Sequence, residues 1–165
     1  IHWPIKEGRA ASWKGLEKLY AEKKVKAIGV ANYNIALLEE LKTTASIVPA
    51  VNQIEFSPWL YQEDLLAYCK AAGIQVQSYS PITRGLKFSD ERLVLICNKY
   101  NRTPAQIVLN WHLQHGISTI PKSSKKERLV ENFDATSFTL SNEDVKIMNG
   151  FNENFRICDD PQTYL

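Results

Sequence analysis

A chain of 165 residues with 44% hydrophobic content can bury one domain core, which excludes a disordered or fibrous polypeptide. Its 20 basic and 18 acidic residues leave a net charge of +2, too balanced for the overall field to recruit nucleic acid or a membrane surface.

Along the chain, the apolar spacing of Trp13, Leu16, Leu19 and Tyr20 predicts a first helix. The β-branched run Val25 to Val30 predicts a strand after it. Leu37, Leu38 and Leu41 predict a helix, residues 50–54 a second strand, and Leu65, Leu66, Tyr68 and Cys69 a third helix. A third strand is predicted over residues 74–79, followed by helices around Leu93, Ile96 and Cys97 and around Ile107, Val108 and Trp111. Thr103 and Pro104 suit the cap and first turn of the latter helix. Residues 117–120 predict a fourth strand, residues 124–132 a helix, and the capping pattern Ser141-Asn142-Glu143-Asp144 opens the last one.

Strand and helix alternating at about 25 residues per unit is the rhythm of a parallel α/β protein. No Gly-x-Gly-x-x-Gly turn follows any strand, so a barrel is favoured over an open doubly wound sheet. Such (β/α)8 TIM barrels run to about 250 residues, and roughly four and a half of their eight units are visible. The expectation is a chain spanning the end of strand 4 through strand 8 and the C-terminal helices, with residues 1–165 forming the C-terminal half of a single barrel domain. Ile1 and His2 are then the stub of the fourth strand, and the start at Ile1 rather than Met points to a processed, truncated or partial polypeptide. Half a barrel leaves strand edges and lumen uncovered.

Cys69, Cys97 and Cys158 lie far apart without metal or disulfide spacing, so no metal site is expected and a reducing, cytoplasmic setting is the simplest. No apolar run approaches the ~18 residues of a membrane span.

In barrels of this kind the chemistry sits at the C-terminal ends of the strands. Those ends carry His2-Trp3-Pro4, Asn32-Tyr33-Asn34, Gln53-Ile54-Glu55, Tyr79-Ser80-Pro81 and Pro121-Lys122-Ser123. Lys122, Ser123, Lys125, Lys126 and Arg128 surround the turn into a helix, where free N–H groups and the macrodipole favour a phosphate. A solvated basic helix start accounts for the same residues. Tyr79 offers a stacking face, and Asn32 and Gln53 offer paired donors and acceptors suited to a carboxamide. Alternatively, Tyr79 is a core aromatic and the two amides satisfy strand-end backbone groups. A lone histidine such as His2 is more often structural than catalytic. His112 and His115 fall on a predicted outer helix as surface or packing residues, and Trp3 and Trp59 suit the lining of an apolar pocket.

Taken together, Ile1-His2-Trp3-Pro4, Ile28-Gly29-Val30-Ala31-Asn32-Tyr33, Val51-Asn52-Gln53-Ile54-Glu55, Gln77-Ser78-Tyr79-Ser80-Pro81 and Ile120-Pro121-Lys122-Ser123 stand in the order and spacing of the aldo-keto reductases. Arg128, Glu131 and Asn132 complete the pattern, and the resemblance covers essentially the whole chain. The segment between Pro81 and Ser89, the run Asn132-Phe133-Asp134 and the ending Asp159-Asp160-Pro161 most resemble the microbial and protozoan branch that includes 2,5-diketo-D-gluconate reductase and prostaglandin F synthases.

The resemblance implies NADPH-dependent reduction of small-molecule aldehydes or ketones by hydride transfer, in a monomer that takes neither nucleic acid nor membrane. By the same resemblance Lys122 and Ser123 hold the 2′-phosphate of NADP(H), Arg128 covers the adenine, and Glu131 and Asn132 contact its edge. Asn32 and Gln53 take the nicotinamide carboxamide and Tyr79 stacks on the ring. Ser80 and the backbone of Ile82 contact the pyrophosphate. Ala31 stands where the family usually has Ser, which removes one carboxamide hydrogen bond or leaves it to water.

Of the family's catalytic Asp, Tyr, Lys and His, only the His is matched, by His2, which orients the carbonyl. Trp3 lines the substrate pocket. Tyr33, Tyr61 and Tyr164 do not match the proton donor's motif. The fragment by itself is therefore expected to be inactive. A non-catalytic NADP-binding or scaffolding protein of the same fold is the alternative from another class, and another phosphate-binding barrel enzyme is a third.

Overall fold

The computed structural model describes residues 1–164, with Leu165 and the side chain of Tyr164 outside the described residues. The chain forms two compact units, one of residues 1–54, 62–77 and the C-terminal residues from Cys158, the other of residues 55–61 and 78–157.

The first unit holds helix α1 (Arg9–Ala21), strand β1 (Val30–Ala31), helix α2 (Ile35–Thr44), most of β2 (Val51–Glu55), helix α3 (Glu63–Ala71) and the start of β3 (Gln75–Tyr79). β1 and β2 run parallel with Val30 opposite Asn52 and Ala31 opposite Gln53. The Gln75 N–H donates to the Ala50 carbonyl at 3.0 Å, which joins β3 to the far side of β2. On the other side of β1, the Ala31 N–H donates to the Ile1 carbonyl at 2.8 Å, as a strand stub at Ile1 requires.

The first strand is shorter than its β-branched run predicts. Pairing to the β2 side begins at Ile28, whose carbonyl accepts from Ala50 N–H, and residues 25–27 approach it exposed or half-exposed. At Gly29 the two strands approach closely, since a Cβ there would lie 2.8 Å from the Val51 carbonyl oxygen. The core of this unit is built from Trp13, Val30, Leu37, Leu38, Leu65, Cys69 and Val76.

The second unit takes the end of β3, helix α4 (Glu91–Tyr100), helix α5 (Pro104–Gln114), strand β4 (Ser118–Thr119), helix α6 (Lys126–Phe133) and helix α7 (Asn142–Asn149). The Ile120 N–H donates to the Ser78 carbonyl at 3.1 Å, which seats β4 beside the end of β3.

α5 is packed deep in this unit, with every residue from Ala105 to His112 buried, so His112 is a packing residue and not a surface one. Its polar side chains survive burial by finding partners. Asn110 donates to the Ala135 and Phe138 carbonyls, Gln106 to Asp134, and Trp111 to Asn149. Phe56, Trp59, Leu93, Ile107, Trp111 and Met148 complete the core. Trp59 is fully buried and donates its indole N–H to Asp90 at 2.7 Å, so it is a core residue and not the pocket wall expected of it.

Candidate functional site

In the first unit the candidate residues lie at strand ends and are linked by hydrogen bonds. Asn32 follows β1 in the left-handed region at φ 65°, a conformation that non-glycine residues seldom adopt and that Asn tolerates best. Its backbone N–H donates to the Gln53 carbonyl at 2.9 Å, and its side-chain Nδ2 donates to the His2 carbonyl at 3.0 Å. His2, Asn32 and Gln53 therefore stand in one bonded row. Asn32 is 4% exposed, and its amide nitrogen satisfies a backbone group as the plainer reading expects. Gln53 donates its amide to Gln77 at 2.6 Å, a partner the sequence did not suggest. The ring of His2 is exposed and lies 5.9 Å from that of half-buried Trp3.

In the second unit the turn after β3 and the turn after β4 face one another across a cleft of about 490 Å³. Ile82, Lys122, Ser123, Arg128, Glu131 and Asn132 all line it, which brings together six of the residues singled out in the sequence. Arg84 and Phe88 on one wall, and Thr103 to Ala105 at the start of α5, line it as well and were not foreseen. The signal for Arg84 was present in its position two residues after Ile82. Tyr79 and Ser80, both half-buried, lie just before this wall, and Ser80 again has a left-handed backbone, at φ 49°.

Lys122 and Arg128 in the cleft lining, and Lys125 and Lys126 in the chain between them, make no ion pair among the described residues, whereas Lys87, Lys99 and Arg102 of the same unit pair with Glu153, Asp144 and Asp134. Ser123 is less free than its neighbours, because its hydroxyl accepts from the Lys125 N–H at 3.1 Å and holds the turn into α6. A phosphate seeking that hydroxyl competes with the turn.

Residues 1–153 match the family model described as the aldo/keto reductase family. The chain belongs to the aldo/keto reductase family. It is 45% identical over 165 residues to the glyoxal reductase of Bacillus subtilis, covering all of this chain and 60% of that protein. It is 42% identical to the 9,11-endoperoxide prostaglandin H2 reductase of Trypanosoma cruzi, covering 99% of this chain and 59% of the relative. Among solved structures, a mutant of Gox0644 in complex with NADPH matches with a TM-score of 0.94 and 38% identity, over 99% of this chain and 61% of that one. The Bombyx mori aldo-keto reductase in complex with NADP matches with a TM-score of 0.86 and 34% identity, over 96% and 58%. The chain thus has the parallel α/β fold of the aldo/keto reductase barrels and spans about 60% of the length of the relatives it matches. Among the described residues no helix is long and apolar enough to cross a membrane, and no cluster of His, Cys, Asp and Glu is suited to a metal ion.

Proposed function

We propose that this chain binds NADP(H) through the cleft of the second unit and belongs to an enzyme that reduces aldehydes or ketones to alcohols. The observation that carries the proposal is the set of cations, Lys122 and Arg128, lining a cleft without an ion pair among the described residues to neutralise them. A 2′-phosphate brings a charge of about −1.5 to −2, and charge-assisted contacts from a lysine ammonium and an arginine fork are the strong kind. Glu131 and Asn132 offer an acceptor and a donor-acceptor pair suited to an adenine edge. The cleft volume lies within the range of small-molecule sites. NADPH, when bound, supplies the hydride.

This chain's own residues then bind and orient. Asn32 and Gln53 hold a carboxamide, with one bond fewer because position 31 is Ala. Tyr79 gives a stacking face, and Ser80 with the Ile82 backbone contacts the pyrophosphate. His2, exposed beside Trp3, orients a carbonyl oxygen by hydrogen bonding while Trp3 gives an apolar wall.

The proton that the carbonyl oxygen needs comes from elsewhere. Tyr33 is 1% exposed and burial pushes its phenol up, while Tyr61 packs against Phe56, Trp111 and His115. The side chain of Tyr164 lies outside the described residues. In this proposal residues 1–165 are the C-terminal half of a single barrel domain, catalytically incomplete alone. A non-catalytic NADP-binding protein is the second reading, favoured by the same burial of Tyr33. The cysteines, of which buried Cys97 has its thiol pushed up to about 11 by burial, fit a reducing cytosolic setting without a redox role.

The test is steady-state reduction of an aromatic aldehyde by the complete protein. NADPH should be used at least about tenfold more efficiently than NADH, the yield of one charge-assisted contact. Equal efficiency with both cofactors would remove the 2′-phosphate pocket from the account.

A further inference from the structure

The wall of the cleft opposite Lys122 and Arg128 carries a third cation, Arg84, on a turn of unusual backbone. Thr83, Arg84 and Gly85 are consecutive left-handed residues, at φ 49°, 52° and 82°. Two non-glycine residues in that region cost free energy, and they persist where the surroundings over-determine them.

The surroundings here do so. The Thr83 N–H donates to the Ser80 carbonyl at 2.9 Å, the Gly85 N–H to Ile82 at 2.8 Å and the Leu86 N–H to Thr83 at 3.0 Å. Thr83 itself is buried, and Lys87 just beyond pairs with Glu153 and lies 4.3 Å from the Phe155 ring centroid. The turn is thus fastened at both ends, with the exposed side chain of Arg84 carried on the cleft wall.

The cleft-lining residues include three cations, Arg84, Lys122 and Arg128, and one acid, Glu131. An NADP molecule has two separate anionic groups, the 2′-phosphate and the pyrophosphate, and the cations on the two walls can be divided between them. Arg84 stands in the same short turn as Ile82, two residues on, whereas Lys122 and Arg128 stand on the wall assigned to the 2′-phosphate.

We propose that Arg84 is a cofactor-binding residue that pairs with the pyrophosphate, contributing affinity common to NADPH and NADH, while Lys122 and Arg128 set the preference between them. This role presupposes the NADP(H) binding proposed above. A guanidinium suits the task because its planar fork can meet two phosphate oxygens at once.

The experiment is a set of equilibrium titrations of the protein with NADPH, NADH and 2′-AMP, the last carrying the 2′-phosphate without the pyrophosphate. Arg84→Ala should weaken NADPH and NADH by the same factor, about tenfold, and leave 2′-AMP unchanged. Arg84→Lys keeps the charge but loses the fork and should recover part of that loss. Lys122→Ala should instead weaken NADPH and 2′-AMP and spare NADH. Arg84 variants that weaken 2′-AMP as much as NADPH, or that leave NADH unchanged, overturn the assignment. Retained NADPH binding that depends on Lys122 but not on Arg84 defeats this inference alone, whereas a wild-type protein that binds neither NADPH nor 2′-AMP defeats the NADP(H) proposal beneath it.

Discussion

His112 is an imidazole sealed in the centre of the second unit, with Nδ1 2.8 Å from the Val108 carbonyl and Nε2 3.0 Å from that of Phe56. Burial pushes its pKa down to about 4, against the two carbonyls that favour the charged ring. An unfolded histidine titrates near 6.5, so between pH 6.5 and 4 the unfolded chain binds the extra proton and the folded one does not. Stability should therefore be full above pH 6.5 and fall as pH drops toward 4, by up to about 1.4 kcal/mol per pH unit. Asp90, held low first by its hydrogen bond to Arg92, and Asp144, held low against the cost of its burial by Lys99, Ser141 and Tyr100, lose their contributions only below about pH 4. Urea denaturation from pH 7 to 4 should show the decline, and His112→Gln should flatten it. An undiminished slope in that variant would assign the window to another group. At the candidate site, in the complete protein, His2→Ala should lower turnover strongly with NADPH affinity nearly intact, and Lys122→Ala should do the reverse. Binding and steady-state rates on both variants check the assignment, and a swapped pattern would refute it.

Helices were easier to read than strands, and the reason is local. α5 is announced by Thr103 and Pro104, whose cap the structure completes as Thr103 Oγ1 accepts from the Gln106 N–H while the Gln106 side chain accepts from the Thr103 N–H. Both signals lie within four residues. The burial of α5 depends on residues 134–140, far along the chain, and no local pattern carries that. The first strand misled because β-branched residues show the tendency to pair but not where the partner begins, which Ala50 and Ile28 decide in three dimensions. The candidate cleft was legible on its β4 side, where the cations cluster within a few residues, and not on its Arg84 side, which depends on the left-handed turn. Thr103→Ala should cost about 1 kcal/mol of stability by leaving α5 uncapped, and, because Thr103 also lines the cleft, should weaken NADPH binding. Thermal melting and titration of one variant test both effects. α6 divides between two environments, with Arg128, Glu131 and Asn132 lining the cleft while Leu129, Val130 and Phe133 are exposed, Phe133 by 76%. An apolar stripe of that kind favours association. Phe133→Glu should reduce any concentration-dependent self-association seen by sedimentation, and no change would clear the stripe of that role.

At the scale of the whole molecule, each of the two units carries its own share of the candidate residues. The first holds His2, Asn32 and Gln53 in a bonded row, and the second holds the cationic cleft. The chain spans about 60% of the length of its relatives. By resemblance it supplies one of four catalytic groups, and removing a proton donor from a set that acts together costs orders of magnitude in rate. The most direct measurement is NADPH-dependent aldehyde reduction by purified residues 1–165, run beside a titration with NADPH. Saturable NADPH binding without measurable turnover is the predicted result. Robust turnover that His2→Ala abolishes would contradict it, and would mean that a group within this chain donates the proton.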